Sequence, residues 1–600
     1  MRVTTLAIIF TALCAGAAGA APPAKPDPST KITVQLLWDQ KIPMRDGVKL
    51  SATIYRDPKQ TKPLPVILTM TPYIAQDAAD RGVYYAQHGY VFAAVDLRGR
   101  GNSDGSFLPS RSEGKDGYDT VEWLAKQPWC DGQVAMWGGS WRGFTQWAIA
   151  KEFPPHLKAI APTSSVYPGV DYPQKAGIFQ SYMLRWLTYV HGHALNDGIF
   201  NSSALWTNAD VEQVTSGRAF ADLEQITGAS GTVFRTWLAH PREDAFWQAV
   251  TPRPEHYAKL QLPILTIAGF YDGDQLGALT YYERHMASGP KSVTARHVLV
   301  LGPWDHAGTR HPKAELAGAT FGANAVVNME DLHKAWYDQV LKGGPAPAFL
   351  KDRVACFITG RNTWIYASEL KQIEGTPIKF ELDATGAAAG DVTRGGHLVP
   401  QAAAAATVTV TSDPRRLPTP EELEADDAPW LVNQRNAYAD SPGRVIWTSA
   451  PLAAETVFAG RAKLQIQIAI DQPDADVGAQ LYEVLADGTA MELSYAVVRL
   501  RYRGGGVQPV FMTPGKPERV EFPAMSFFAR AVAKGSRLRL VVHSVPYVGM
   551  QRNTNTGGDL ATEPLSKARI AKITLMTGPG TASALEIPRP DEALLEAKPH

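Results

Sequence analysis

Residues 133–143, Gln-Val-Ala-Met-Trp-Gly-Gly-Ser-Trp-Arg-Gly, decide how the chain is read. Gln133 to Trp137 is a short, mostly apolar run of strand type, and Phe144 to Lys151 reads as a helix. A serine held among glycines between strand and helix is the setting of a nucleophile elbow, a strained turn that lifts a hydroxyl clear of a sheet. Small residues are needed beside it because the turn drives the backbone into dihedrals that side chains resist. Gly138 and Gly143 flank Ser140 at −2 and +3. A literal search for Gly-x-Ser-x-Gly selects another serine, in Gly101-Asn102-Ser103-Asp104-Gly105. That serine follows the strand Val91–Val95 only after RGRGN and leads into the loop GSFLPS, so Ser103 is read as loop. Ser140, with a strand before it and a helix behind, is the candidate nucleophile.

Outward from this turn the chain alternates strand and helix. Leu36 to Tyr55 reads as a hairpin about Asp46-Gly47, and Pro65–Thr71 and Tyr90–Asp96 as strands. Ala75–His88 and Asp116–Lys126 read as helices. Continuous apolar strands separated by helices imply a parallel sheet covered on both faces, an α/β architecture. After Pro162 the pattern becomes helical, with Ile178–Val190, Val211–Ile226 and Val233–Leu238, which suggests a cap inserted over one end of the sheet. Strands resume at Pro263–Ala268 and His297–Leu301, and the amphipathic helix Met329–Leu341 leads to the linker Gly343–Pro347. From Val354 onward, short alternating strands argue for a β-sandwich. The expected division is a signal peptide over 1–20, a first domain over 30–165 and 255–345, a helical cap over 166–254, and a sandwich over 350–590. Asp413–Arg444 is a polar excursion, either a surface loop or an arm on the first domain, and Ala402–Ala406 receives no assignment.

Arg2, the apolar run Val3–Leu13 and Ala18-Gly19-Ala20 have the form of a secretory signal, so the mature chain is expected to be periplasmic or secreted. Leu13 before Cys14 is bulky where a lipoprotein signal wants a small residue, and Ala21–Ser29 is a Pro-rich lead-in. No later stretch is long and apolar enough to cross a bilayer. The 59 basic and 59 acidic side chains balance, which provides no field for nucleic acid or a membrane surface. Only Cys130 and Cys356 remain after the leader, too few for a disulfide-built fold and without metal-ligand spacing. His191 and His193 have no third ligand near them in sequence, so neither metal nor cofactor is expected. The oligomeric state is left open.

A serine nucleophile needs a base, and the base a carboxylate to orient it. In this fold class these follow in the order serine, acid, histidine, each in a loop after a strand. Pro263–Ala268 runs into Gly269-Phe270-Tyr271-Asp272, and His297–Leu301 into Gly302-Pro303-Trp304-Asp305-His306. Asp272 and His306 are therefore the candidate acid and base. Asp305 is a rival acid, but sequence neighbours rarely have the geometry to hold each other. An oxyanion needs two preset donors. The Trp141 backbone N–H, directly after the nucleophile, is one candidate. The loop Thr71-Pro72-Tyr73 supplies the other, with Tyr73 readable from the residues alone either as donor or as core tyrosine.

These stretches, together with MRDGVKLSATIYR (44–56), DLRGRGNSDG (96–105), WCDGQVAMWGGSWRGFTQW (129–147), GFYDG (269–273), GPWDH (302–306) and QRNTNTG (551–557), carry a resemblance. The chain resembles the cocaine esterase-like hydrolases, grouped with the X-Pro dipeptidyl-peptidases and the α-amino-acid ester hydrolases. The resemblance implies an α/β-hydrolase domain with a helical cap and a carboxy-terminal jelly-roll β-sandwich. It implies Ser140 as nucleophile, Asp272 as acid, His306 as base and the Tyr73 hydroxyl as second oxyanion donor. One departure concerns substrate: the α-amino-acid ester hydrolases follow the acid with an acidic pair, whereas Gly273-Asp274-Gln275 keeps only the first. The cocaine esterase-like members have an aromatic residue where Asp274 stands. Asp274 is accordingly either a carboxylate that binds a cationic small-molecule substrate or a helix cap facing water. The resulting expectation is an exported serine hydrolase acting on a carboxylic or α-amino-acid ester by an acyl-enzyme. X-Pro dipeptidyl-peptidase or β-lactam acylase chemistry is the alternative. A catalytically silent carbohydrate-binding protein is the alternative of another class.

Overall fold

Seven parallel strands at the centre of one sheet set the position of everything else. The structure, a computed structural model, describes residues 33–229, 231–417, 429–433, 437–438, 441–523, 525–545 and 548–596. The expected signal peptide, Cys14 and half of the Asp413–Arg444 excursion lie outside the described residues. The strands are β1 (Gln35–Pro43), β2 (Lys49–Arg56), β3 (Leu64–Thr71), β4 (Val91–Asp96), β5 (Cys130–Ser140) and β6 (Leu157–Ser165). Two short cap strands, β7 (Gln174–Lys175) and β8 (Ile178–Phe179), precede β9 (Ile264–Gly269) and β10 (His297–Gly302). After a small hairpin, β11 (Glu315–Leu316) and β12 (Ala319–Thr320), come β13 (Val354–Ile358) and β14 (Thr363–Ala367). The main sheet has the order β1-β2-β4-β3-β5-β6-β9-β10-β13-β14. It is parallel from β4 to β13 and closed at each side by antiparallel strands. Every residue of β4 and β9 is buried, because helices cover both faces of a parallel sheet and its strands need no polar side. The helices α1 (Ala79–Gln87), α2 (Glu113–Ala125) and α3 (Trp141–Ala150) supply part of this cover.

The first domain extends further than residue 345. β13 lies parallel to β10 and β14 antiparallel to β13, so two strands that the sequence reading gave to the β-rich half complete the first sheet. Val354-Ala355-Cys356-Phe357-Ile358 is buried at every position. A continuous apolar run of this kind belongs inside a covered parallel sheet, not on a sandwich face with alternating exposure. Cys356 sits in this strand, and both it and Cys130 are free and buried.

The cap differs in detail from the helices expected of it. Ile178 and Phe179 pair with Gln174 and Lys175 in a tight antiparallel hairpin, and helix α4 begins only at Tyr182 (Tyr182–Tyr189). Gly177 turns that hairpin at φ 83°, a value glycine adopts freely. The expected helix over Val211–Ile226 is broken where Gly217 (φ 67°) ends the helix Ser203–Ser216. The cap is fastened to the body by Arg100, whose guanidinium donates to the carbonyls of Pro72 (2.8 Å), Ala194 (3.0 Å) and Gly192. His193 is spent in the same seam, its Nδ1 3.0 Å from the Gly101 carbonyl. Ser103 is structural: its buried hydroxyl donates to the Asp96 carbonyl (2.7 Å) and accepts from the Ser51 amide (2.8 Å).

The carboxy-terminal domain is a β-sandwich of mostly antiparallel strands whose two faces enclose Trp447, Ile466, Val477, Leu540 and Leu575 in one core. Of the excursion, Trp430–Val432 is described and packs on the first domain, with the Trp430 ring 6.2 Å from that of Tyr271 and Leu431 buried. A buried ionic network joins sandwich to cap. Arg499 makes two parallel bonds to Asp476 (both 2.9 Å), and its Nη1 donates to the Gly177 carbonyl (2.6 Å) and to Gln551 Oε1 (2.7 Å). Among the described residues, no helix is long and apolar enough to cross a membrane. Replacing Asp476 by Ala leaves the Arg499 charge buried without its partner. The expected cost is about 3–5 kcal/mol, read as a lowered midpoint in thermal unfolding, with Asp476→Asn losing less.

Candidate active site

The loops that follow β3, β9 and β10 meet the β5–α3 turn at the carboxyl ends of the parallel strands. Ser140 terminates β5 with φ 63° and ψ −130°, dihedrals that a side chain tolerates only when its surroundings enforce them. The enforcement is visible on both sides. β5 is paired with β3 and β6, and α3, buried along its whole length, starts at the very next residue. A Cβ at Gly143 would lie 2.8 Å from the Cβ of Ser165, so only glycine lets α3 leave the sheet this closely. Gln146 pins the turn by donating to the Gly138 carbonyl (2.9 Å) and accepting from the Ala161 amide (2.8 Å).

Ser140 Oγ lies 3.4 Å from the Tyr73 hydroxyl. That hydroxyl accepts from the Trp186 indole N–H at 3.2 Å. An indole nitrogen can only donate, so the phenol proton is left to point toward the serine. The loop that carries Tyr73 is strained at Ile74 (φ 69°, ψ 136°), a poor conformation for a β-branched residue. It is held there by the Tyr73 amide on Thr71 Oγ1 (2.9 Å) and the Ala75 amide on Asp96 Oδ1 (2.6 Å). The Trp141 amide, first in α3, has no acceptor within the helix, as expected of an N-terminal position. The Trp141 indole donates to buried Glu113 (3.3 Å).

His306 Nδ1 is 2.9 Å from Asp272 Oδ1, and the Asp274 amide donates to that same oxygen at 3.0 Å. Asp305 is occupied in its own turn, accepting from the Gly308 amide (2.6 Å). Burial alone would raise the Asp272 carboxyl, but the charge and hydrogen bond of His306 and the Asp274 amide outweigh it and hold the carboxyl below its ordinary value. Burial would likewise lower the His306 imidazole, and Asp272, aided by the charge of Asp274, outweighs it and raises the imidazole above its ordinary value. Asp272 therefore lends stability that is present above its unfolded pKa and lost on acidification. His306 lends stability that is present below about 6.5 and lost as pH rises through its raised pKa. Asp274 sets its Oδ2 3.4 Å from His306 Nδ1, and burial pushes its own carboxyl up to about 6. Asp272, Asp274 and His306 bring three ligand-type atoms within 4.8 Å of one another, a spacing that the shared Nδ1 accounts for.

Ser140, Asp272, Asp274, His306, Tyr73 and Trp141 all line one cavity of about 220 Å³. Ser140 and His306 face it without a hydrogen bond between them. Such contacts are commonly long in a free enzyme and tighten on substrate binding. The cap supplies the remaining walls through Asp171, Tyr172, Lys175, Gln180, Tyr182 and Trp186. None of these six was legible as a site residue, because nothing local to 171–186 places their side chains over the strand ends. Trp186 alone had a usable signal, an indole N–H that must find an acceptor once buried.

Residues 46–308 match the family model of the X-Pro dipeptidyl-peptidase S15 family. Residues 361–586 match that of the X-Pro dipeptidyl-peptidase C-terminal non-catalytic domain. The chain is 27% identical over 578 residues to the cocaine esterase of Rhodococcus sp. (strain MB1 Bresler), covering 91% of this chain and 97% of that protein. Its fold is shared with an aminopeptidase from a marine sediment archaeon, Thaumarchaeota archaeon (TM-score 0.78, 23% identity, 96% of this chain and 99% of that one). An α-amino acid ester hydrolase superposes with TM-score 0.76 at 22% identity over 95% of this chain and 99% of that one.

Asp272→Asn removes the charge that raises the imidazole and leaves the burial that lowers it. The His306 pKa, followed by NMR titration, is expected to fall below that of the unaltered protein.

Proposed function

The chain belongs to the serine hydrolases of the S15 type, and from that premise we propose that it cleaves a carboxylic ester through a covalent acyl-enzyme on Ser140. Ser140 Oγ attacks the scissile carbonyl carbon while His306 takes its proton. The tetrahedral oxyanion is held by the Tyr73 hydroxyl and the Trp141 amide, and Asp272 stabilises the imidazolium. Collapse expels the alcohol with the proton from His306. Water, deprotonated by the same ring, then attacks the acyl-enzyme and releases the acid.

The observation that carries this reading is the hydrogen bond from His306 to buried Asp272 at the rim of the cavity that Ser140 and Tyr73 also line. Ester rather than amide is preferred because the relative matched along nearly its whole length is named an esterase. Peptide or β-lactam chemistry requires the same nucleophile and is separated by assaying a nitrophenyl ester, an amino-acid ester and an X-Pro anilide side by side. Export is proposed on the amino-terminal sequence alone. Expression in a Gram-negative host is expected to place the protein in the periplasmic fraction without its first ~20 residues, and retention of an intact amino terminus in the cytoplasm would contradict it.

Ser140→Ala is expected to leave the thermal midpoint near its original value while abolishing both ester turnover and labelling by a fluorophosphonate. Tyr73→Phe is expected to lower kcat on the order of 10²–10³-fold with little change in KM.

A further inference from the structure

Three cavities meet at one side chain. The cavity beside Ser140 (about 220 Å³), one beside Gly273 (about 70 Å³) and one between β8 and the sandwich (about 260 Å³) all count Lys175 among their lining residues. The Lys175 ammonium donates to the Gly273 carbonyl at 2.7 Å and to the Tyr495 hydroxyl at 3.0 Å. Gly273 separates Asp272 from Asp274, so the cation is fastened to the loop that carries both acids. An ammonium has three protons, and two are used.

Three carboxylates face the cavity beside Ser140, and they differ in engagement, with Asp171 held on both oxygens and Asp272 on Oδ1 alone. Asp171 accepts the Tyr167 amide on Oδ1 and the Gly277 amide on Oδ2, each at 2.7 Å. Asp272 holds His306, and Asp274 leans its Oδ2 toward the same ring. Among the described residues Lys175 is the sole lysine or arginine lining this cavity; burial opposes its charge, and Tyr495, Asp171 and Asp274 outweigh that. The hairpin that bears it is fixed from the sandwich side. Arg499 donates to the Gly177 carbonyl (2.6 Å), and the Gln551 amide to the Phe179 carbonyl (2.8 Å). The spare proton is therefore offered from a held position.

Resting on the acyl-enzyme reading, we infer that Lys175 determines specificity: it receives an oxygen acceptor, in the strongest case a carboxylate, on the part of the substrate remote from the scissile carbonyl, and it disfavours a free amine there. A carboxylate gains a charge-assisted hydrogen bond, whereas an ammonium must enter beside a like charge that cannot leave. This assigns the opposite substrate charge to the one that Asp274 suggested from sequence alone.

The test uses three nitrophenyl esters of matched acyl length on the full protein, ending in a methyl, a carboxylate or an ammonium group, with each rate divided by its uncatalysed rate. The expected order of kcat/KM is carboxylate, methyl, ammonium, with the first exceeding the last on the order of tenfold or more. Lys175→Met is expected to collapse that ratio toward one, chiefly through KM, and Lys175→Arg to preserve the order. Thermal midpoints of both variants show whether the bridge to Tyr495 matters for folding. Turnover that favours the ammonium ester, or a ratio that Lys175→Met leaves unchanged, overturns the inference alone. Failure of all three esters overturns the acyl-enzyme reading and the inference with it.

Discussion

The left-handed backbone at Ser140 is the constraint on which the site depends. A non-glycine residue in that conformation costs about 1–3 kcal/mol, and the neighbouring structure must hold it. β3 and β6 grip the strand from both sides, Gln146 ties its Gly138 carbonyl, and α3 begins with no intervening loop. The missing Cβ at Gly143 lets the helix drop back against Ser165. Without these contacts the strand would run straight on, and its side chain would lie along the sheet instead of standing above it.

A second order of dependence runs through hydrogen-bond polarity. Trp186, from the cap, donates to the Tyr73 hydroxyl and so fixes where the phenol proton can go. Arg100 binds the Pro72 carbonyl, one residue before Tyr73, and in the same fork the cap carbonyls of Gly192 and Ala194. The cap is thus joined to the loop bearing the tyrosine at both ends of that residue. It acts on the electrostatics over Ser140 as well as enclosing the cavity. Across the cavity the Asp272–His306 pair sits on the β9 and β10 loops, and the first of these is itself tied to the cap by Lys175 at Gly273 and to the sandwich by Gln275 at Phe527.

Much of this was legible from residues. VILTMT and VFAAVD read as buried parallel strands because nothing charged interrupts them, and Asp272 and His306 stood at strand ends in the order the chemistry requires. Ser140 was separable from Ser103 by context, and the hydroxyl of Ser103 indeed serves the loop. Tyr73 was undecidable from the residues, since a phenol after a strand looks the same whether it donates to an oxyanion or fills a core; only the family resemblance favoured one reading. The strand Val354–Ile358 was misassigned because the linker before it resembles a domain boundary, although its unbroken apolar run belonged to a parallel sheet. The hairpin at 174–179 and the roles of Lys175 and Trp186 were out of reach. They arise where the cap meets segments some 100 to 320 positions away, and local periodicity holds no information about such encounters.

The grip of Arg499 and Gln551 on the cap hairpin bears on how such proteins diversify. Asp272 and His306 stand on loops of the first domain, whereas the hairpin that bears Lys175 is held by the carboxy-terminal half as well as by Gly273. With Lys175 in the role inferred for it, drift in the carboxy-terminal half would shift that hairpin while Ser140, Asp272 and His306 keep their strands.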